Sequence, residues 1–422
     1  MNKKLLIAVA IVGGFTGCNV VSSKSVSDNL NDKYQNMRAF ISVWQADKNN
    51  NDTITIPINN NYHNYDYIVD WGDGKVSKNI HNSITHTYKK DGNYTVKIKG
   101  IFPAIKFGIT EDWNSPNQKN ANSIIKITQW GDISWRTFEE AFSFCNNLNI
   151  EAKDNPKLEN VKSFAKAFFK ASNFNSDISG WNTSHITDMS RMFEGTKFNK
   201  DISNWDTSNV KDMHYMFKDT NFNQPIGSWN VSNVENMSGM FENDEAFNQN
   251  LNGWTTSKVV FMNYMFAGAK NFNKPIGNWN TSNVKYMDFM FAGASNFNQP
   301  IGNWDTSKVV NMAGMFKGAS SFNQDINGWD TSNVKYMDKV FEGASSFNKP
   351  LGDWNISNVK RFFAMFKNAS SFNLSNLNGW QRSDVNTSEV NMTIFCGGFA
   401  DGAVGDTSVL PYPFNQCPSL SN

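Results

Sequence analysis

The stretch Asn298-Gln-Pro-Ile301-Gly-Asn-Trp304-Asp-Thr-Ser-Lys-Val309-Val-Asn-Met312-Ala-Gly-Met315-Phe316-Lys-Gly-Ala-Ser-Ser-Phe322 decides how this chain is read, because Asn323 begins the same phrase again. Nine tryptophans keep the count from Trp181 through Trp205, Trp229, Trp254, Trp279, Trp304, Trp329 and Trp354 to Trp380, at spacings of 24, 24, 25, 25, 25, 25, 25 and 26 residues. The slip from 24 to 25 falls at one place, between the Phe of Met-x-x-Met-Phe and the next Phe-Asn. There Phe193 to Phe198 spans five residues and Phe291 to Phe297 spans six. A register that absorbs slips at a fixed point is a structural repeat with a tolerant loop. A period of this length signals a solenoid, whose units bury their apolar sides only against one another.

Each unit divides in two. Val284-x-x-Met287-x-x-Met290-Phe291-x-x-Ala294 places apolar residues at i, i+3, i+6, i+7 and i+10, the stripe of an amphipathic helix, with Ser282 and Asn283 as caps and Gly293 at its exit. Phe297 to Trp304 is too short and broken for a helix and is expected to hold a strand of two to four residues centred on Ile301. Proline precedes that position in several units (Pro225, Pro275, Pro300, Pro350), tolerable only at a strand's first residue. The expected fold class is therefore an α/β solenoid of strand-loop-helix turns of about 25 residues.

The units Phe198–Phe217 and Phe322–Phe341 reproduce apolar-Asn-x-x-Ile-x-x-Trp-Asp-Thr-Ser-Asn-Val-x-x-Met-x-x-Met-Phe, which resembles the repeat of BspA-like leucine-rich-repeat surface lipoproteins. The resemblance implies a leucine-rich-repeat-like stack over 124–395 with degenerate end units, Phe138-x-x-Ala141-Phe142, Phe164-x-x-Ala167-Phe168 and Asn391-Met392-Thr-Ile-Phe395. It also implies adhesion to surface or matrix macromolecules of a host or a neighbouring cell.

The N-terminus, two lysines, the apolar run Leu5–Gly14 and Phe15-Thr16-Gly17-Cys18, reads as a secretory signal over 1–18. Its end resembles a bacterial lipobox, which makes Cys18 the expected lipidation site; an ordinary cleaved signal is the alternative. Residues 19–36 then form a Ser/Asn/Lys-rich tether. The expected localisation is secreted, membrane-anchored as a lipoprotein, at the cell surface or outer membrane. Residues 37–110 alternate apolar and polar in short runs (Phe40–Trp44, Thr53–Pro57, Tyr67–Trp71, Tyr94–Ile98), predicting a small all-β, immunoglobulin-like sandwich. Asp70-Trp71-Gly72-Asp73-Gly74, His86-Thr-Tyr88 and Gly92-Asn-Tyr94-Thr-Val96 resemble PKD-like modules, in which the Trp-Gly-Asp-Gly makes a tight turn. Asp70 and Asp73, and the run Asp47–Asp52, allow a calcium reading, but Asp-Gly is foremost a turn former.

Lys plus Arg total 39 against 38 Asp plus Glu, so no global field favours nucleic acid, and none is expected as a partner. There is no Gly-x-Ser-x-Gly elbow, no His-Glu-x-x-His, no phosphate loop and no Cys-x-x-Cys, so neither an enzyme nor a cofactor or metal site is expected. Cys396 and Cys417, in the irregular C-terminal cap 396–422, form a possible disulfide, leaving Cys145 a buried thiol. The Trp and Phe rows are either the core or a platform for sugar rings, and core burial is favoured because nothing else fills the units. Exposed residues flanking each core Ile, Asp201 and Ser203, Pro300 and Gly302, Asp325 and Asn327, make the candidate binding face. Adhesion through that face is the expected function; capture of a polysaccharide or glycan for nutrition is the alternative.

Overall fold

The structure, a computed structural model, describes residues 34–50, 52–108, 116–380, 392–405, 410 and 412–419. The chain divides into two compact units, Met1–Met37 and Arg38–Asn422. Of the first, residues 34–37 are described, a turn closed by the Met37 N–H on Tyr34 O at 3.1 Å. The expected signal 1–18 and most of the tether lie outside the described residues.

The second unit begins with strands β1 (Phe40–Ala46), β2 (Thr53–Ile56), β3 (Asp66–Asp70), β4 (Val76–Ile80), β5 (Ile84–Thr87) and β6 (Gly92–Ile101). Helix α1 (Pro116–Ser123), β7 (Ile124–Gln129) and β8 (Asn149–Ile150) follow. One sheet has the order β4-β3-β6-β1-β7-β8 and a second pairs β2 with β5. Alternation along β1, β2 and β3 puts Phe40, Trp44, Ile54, Ile56, Tyr67 and Val69 inside. The Trp71–Gly74 turn is held by its own acids: Asp70 accepts the Gly72 N–H at 3.0 Å and Asp73 accepts the Lys75 N–H at 3.0 Å. Gly72 is obligatory there, since its φ is +76° and a Cβ would stand 2.6 Å from Thr95 O. The Tyr88 hydroxyl donates to Trp71 O at 2.9 Å and ties the later strands to the turn.

This sheet does not end at the module. β7 pairs antiparallel with β1, and β8 then pairs parallel with β7 through Lys126↔Asn149 and Ile127↔Ile150. Beyond it the repeats stack in parallel, with eight consecutive bridges running Ser163, Asp188, Asp212, Asn236, Phe261, Tyr286, Asn311, Tyr336 and Arg361.

Here the expected α/β solenoid is overturned. Among the described residues the α-helices are α1 and α2 (Met392–Cys396), and neither lies in the regular repeats. The fold is sheet-rich. The segment Val284–Ala294 is a ribbon of turns that carries the inter-coil ladder. Met287, Phe289, Phe291 and Gly293 donate their N–H groups to Asn311, Ala313, Met315 and Lys317 of the next coil at 3.1, 2.8, 2.9 and 2.6 Å. The amides of Met290, Ala292 and Ala294 bond instead within their own coil, to Met287 O, Phe289 O and Phe291 O at 3.2, 3.1 and 3.0 Å. Two left-handed residues per coil, Phe289 (φ 54°) and Gly293 (φ 70°), produce this alternation. A left-handed non-glycine residue costs about 1–2 kcal/mol, offset by the ladder bonds it permits. Successive three-residue turns bring Met287, Met290, Phe291 and Ala294 inside at nearly helical intervals, so side-chain period alone does not separate the two structures.

The strand expected at Ile301 is likewise corrected. Ile301-Gly-Asn-Trp304 is a β-turn closed by the Trp304 N–H on Ile301 O at 3.2 Å. Proline before it and Gly-Asn within it favour a turn over a ladder rung.

The core is a set of ring columns. Phe291 stacks on Phe316 at 5.8 Å, Phe297 on Phe322 at 6.0 Å and Trp304 on Trp329 at 6.3 Å. The repeat tryptophans are 1–4% exposed, so they are core and not a sugar platform. Their Nε1–H groups donate to the preceding coil, as Trp304 does to Ile276 O at 3.2 Å. At the C-terminal end, Phe362, Ala364, Phe366 and Asn368 donate to the carbonyls of Phe395, Gly397, Phe399 and Asp401. The ladder therefore runs past residue 395 into the cap, and Cys396 is joined to Cys417 by a disulfide, with Cα atoms 5.4 Å apart. Cys145 is buried.

Candidate functional site

Every letter of the repeat has a structural task, and separating these tasks leaves the groups available to a partner. In Trp304-Asp-Thr-Ser the Asp305 carboxylate accepts the Ser307 N–H at 3.0 Å and Thr306 Oγ1 donates to Asp330 O at 2.9 Å. The Asn after each core Phe forms a ladder: Asn298 N–H donates to Asn273 Oδ1 at 3.0 Å, and Asn323 N–H to Asn298 Oδ1 at 2.9 Å. These amides satisfy backbone donors that stacking would otherwise strand.

The residues flanking the core Ile build its turn by two chemistries. Where Asp or Asn precedes the Ile, its side chain accepts the N–H two residues on. Asp201 takes Ser203 at 2.9 Å and Asp325 takes Asn327 at 3.0 Å. The Ser203 N–H holds the Asp201 carboxyl below the usual carboxylate range. Where Pro precedes it, Gly follows, and the next coil's backbone comes close: a Cβ on Gly302 would stand 2.6 Å from Asp325 O.

Pro300, Gly302, Asp325 and Asn327 come together in an open trough of about 640 Å³ that also takes in Asn252, Pro275, Asn278, Asn303 and Gln324. It crosses four consecutive coils. Asp201 and Ser203 occupy the equivalent turn of an earlier coil and do not line it. The lining is amide, glycine and proline with one carboxylate, so it offers hydrogen-bond donors and acceptors in nearly neutral surroundings. Among the described residues no group of three or more His, Cys, Asp or Glu is placed to hold a metal ion. Among them, too, no helix is long and apolar enough to cross a membrane. Cys18 lies outside the described residues.

A second surface was not anticipated from the sequence. The residues around each first methionine of Met-x-x-Met face outward on the ladder, and Phe261, Tyr286 and Tyr336 there are 40, 38 and 38% exposed. The signal was present: within an otherwise monotonous repeat, the position before that methionine reads Asp188, Asp212, Asn236, Phe261, Tyr286, Asn311 and Tyr336, with Arg361 at the equivalent place before Phe362.

Ladders in every coil, buried ring columns and a capped end define a parallel repeat scaffold whose chemistry lies on its exposed strips. The chain belongs to the family described as Mycoplasma protein of unknown function, DUF285, which it matches over residues 136–252, 219–309 and 295–395, more than half its length. It is thus a BspA-like repeat protein. No curated protein and no solved structure matches it.

Proposed function

We propose that this chain is a surface-displayed adhesive repeat protein that binds other macromolecules through the trough of its turn face. The observation that carries the reading is the trough itself, about 640 Å³ of open, amide-lined surface spanning four coils. An elongated site built from repeated turns suits an extended partner held by several weak contacts in series, the way stacked repeats use their long faces. The protein chains of a host or neighbouring cell surface are the proposed partners. In this reading Cys18 carries a lipid that holds the protein at the membrane, and the PKD-like module spaces the stack from it.

The trough is tested by Asn278→Trp with Asn303→Trp, two exposed positions whose side chains would obstruct it. Purified protein is applied to a panel of matrix proteins and to a glycan array. Saturable binding to matrix proteins, weakened at least tenfold by the double variant, supports the reading; binding confined to neutral glycans replaces adhesion with glycan capture. For the anchor, Cys18→Ser should move the protein from the membrane fraction to the soluble one. Retention of that variant in membranes refutes lipidation.

A further inference from the structure

We propose that the ladder face of the C-terminal coils is a second docking site, taking an acidic protein segment by one large apolar side chain. This goes beyond the trough reading, since it uses a different strip of the same coils.

The first observation is a cavity. Phe289, Ala313 and Phe363 line a pocket of about 500 Å³ together with Asp338, Lys339, Arg361 and Thr393, and the surface exposed inside it is mostly apolar. The Phe289 wall is placed by a glycine in the next coil. Gly314 occupies the left-handed position that holds Phe289 in the coil before and Lys339 in the coil after. The Phe289 ring lies over Gly314, where a Cβ would stand 2.3 Å from it. That ring fills the space a side chain at 314 would need, and it forms one wall of the cavity. The cavity's volume is large enough to admit an aromatic or large aliphatic side chain.

The second observation is charge. Arg361 is held by Asp338 at 2.7 Å, while Lys317 and Lys339 share Glu342 at 3.2 and 3.9 Å. Asp288, beside Phe289, is half-buried. Lys285, Lys335 and Lys360 stand on three of four successive rungs, linked through Val310, and all three are exposed. No ion pair engages any of them among the described residues. An apolar pocket beside unpaired cations matches an apolar anchor flanked by carboxylates.

The third observation is the ring column beside it. Phe261 and Tyr286 stack at 5.3 Å with planes 2° apart, so they turn edges outward and cover each other's faces. Sugar rings and nucleobases stack on exposed faces, and a pocket whose exposed surface is mostly apolar gives hydroxyls few partners. Ring edges and an apolar pocket instead suit protein side chains.

The probe is an end-capped, fluorescein-labelled heptapeptide with tryptophan between two runs of three glutamates, titrated with full-length protein in fluorescence polarisation. Comparison peptides carry alanine in place of the tryptophan, or lysines in place of the glutamates, and a labelled oligothymidylate tests nucleic acid. Saturable binding is expected, at least tenfold weaker for the alanine peptide, undetectable for the lysine peptide, and weakened by salt. Ala313→Phe, which fills the pocket, should weaken it tenfold or more. Lys335→Glu with Lys360→Glu should weaken it at least fivefold with an unchanged circular dichroism spectrum. This surface pair keeps the test decisive should Ala313→Phe disturb the fold. Absence of saturable binding, equal binding of the tryptophan and alanine peptides, or preference for oligothymidylate overturns the proposal. Asn278→Trp with Asn303→Trp should leave the heptapeptide's affinity unchanged, so failure here and failure of the trough are separately read.

Discussion

Replacing Trp304 by alanine removes the largest side chain of a central coil. The indole is 3% exposed and lies between Trp279 at 6.2 Å and Trp329 at 6.3 Å, with Phe291 at 6.3 Å. Truncation of a buried aromatic to alanine costs about 3–5 kcal/mol, from lost transfer energy and the cavity left behind. The Nε1–H bond to Ile276 O, at 3.2 Å, is lost as well and leaves a buried carbonyl without that donor, a penalty of about 1–3 kcal/mol. The two terms overlap, because a cavity large enough for water restores part of the second. Trp304→Phe separates them, since it keeps most of the ring volume and loses the N–H; we expect about 1–2 kcal/mol there. Urea unfolding followed by circular dichroism measures both. Coils interact with nearest neighbours, so the alanine variant should also broaden the transition as the two halves uncouple. A midpoint and slope equal to wild type for Trp304→Ala would refute the claim that the tryptophan column holds the stack together.

Asp244 is buried, and burial pushes its carboxyl up to about 7 even though Thr220 Oγ1 and the Phe222 N–H donate to it at 2.9 and 3.0 Å. The folded chain thus keeps a proton that the unfolded chain releases near pH 4. The stabilisation is full below pH 4 and lost as pH rises through 7, a change on the order of 4 kcal/mol at most. Melting temperatures at pH 5 and pH 8 should therefore differ less in Asp244→Asn than in wild type, and equal differences would count against this account. Opening the Cys396–Cys417 link, which closes a loop of 21 residues' separation, should cost about 3 kcal/mol. Cys396→Ser with Cys417→Ser compared with wild type by thermal melting checks it, and a melting temperature unmoved by the pair would contradict it. Asn298→Ala removes the acceptor of the Asn323 N–H and of Gln324 Nε2 at 2.9 Å each, and should cost about 1–3 kcal/mol in the same urea assay. A loss below 0.5 kcal/mol would show that water replaces the ladder.

Much of this protein was legible in its sequence. The tryptophan count marked the repeat and the place where its length slips from 24 to 25. Alternation over Phe40–Trp44, Thr53–Pro57, Tyr67–Trp71 and Tyr94–Ile98 located four strands that the structure places at Phe40–Ala46, Thr53–Ile56, Asp66–Asp70 and Gly92–Ile101. The Asn after each Phe was readable as a ladder, because a buried turn must satisfy its backbone and asparagine is the side chain that offers both partners. The flanks of the core Ile pointed to the trough, where Pro300, Gly302, Asp325 and Asn327 meet.

Hidden from the sequence were the partners of the backbone. Side-chain period reports which residues turn inward, and a helix and a ribbon of turns turn inward at nearly the same intervals. They differ in where the N–H groups go, four residues back along a helix, or alternately three residues back and 24 residues on into the next coil, and no residue type records that. The same holds for the ladder face. Phe261, Tyr286 and Tyr336 stand in the sequence as ordinary variable positions of a supposed helix, and only stacking in parallel brings Phe261 and Tyr286 into one exposed column and gathers Phe289, Ala313 and Phe363 around one pocket. Sequence determined the unit and its inward residues because these are local. The neighbouring coil determined the hydrogen bonds, and with them both the fold class and the surfaces left free.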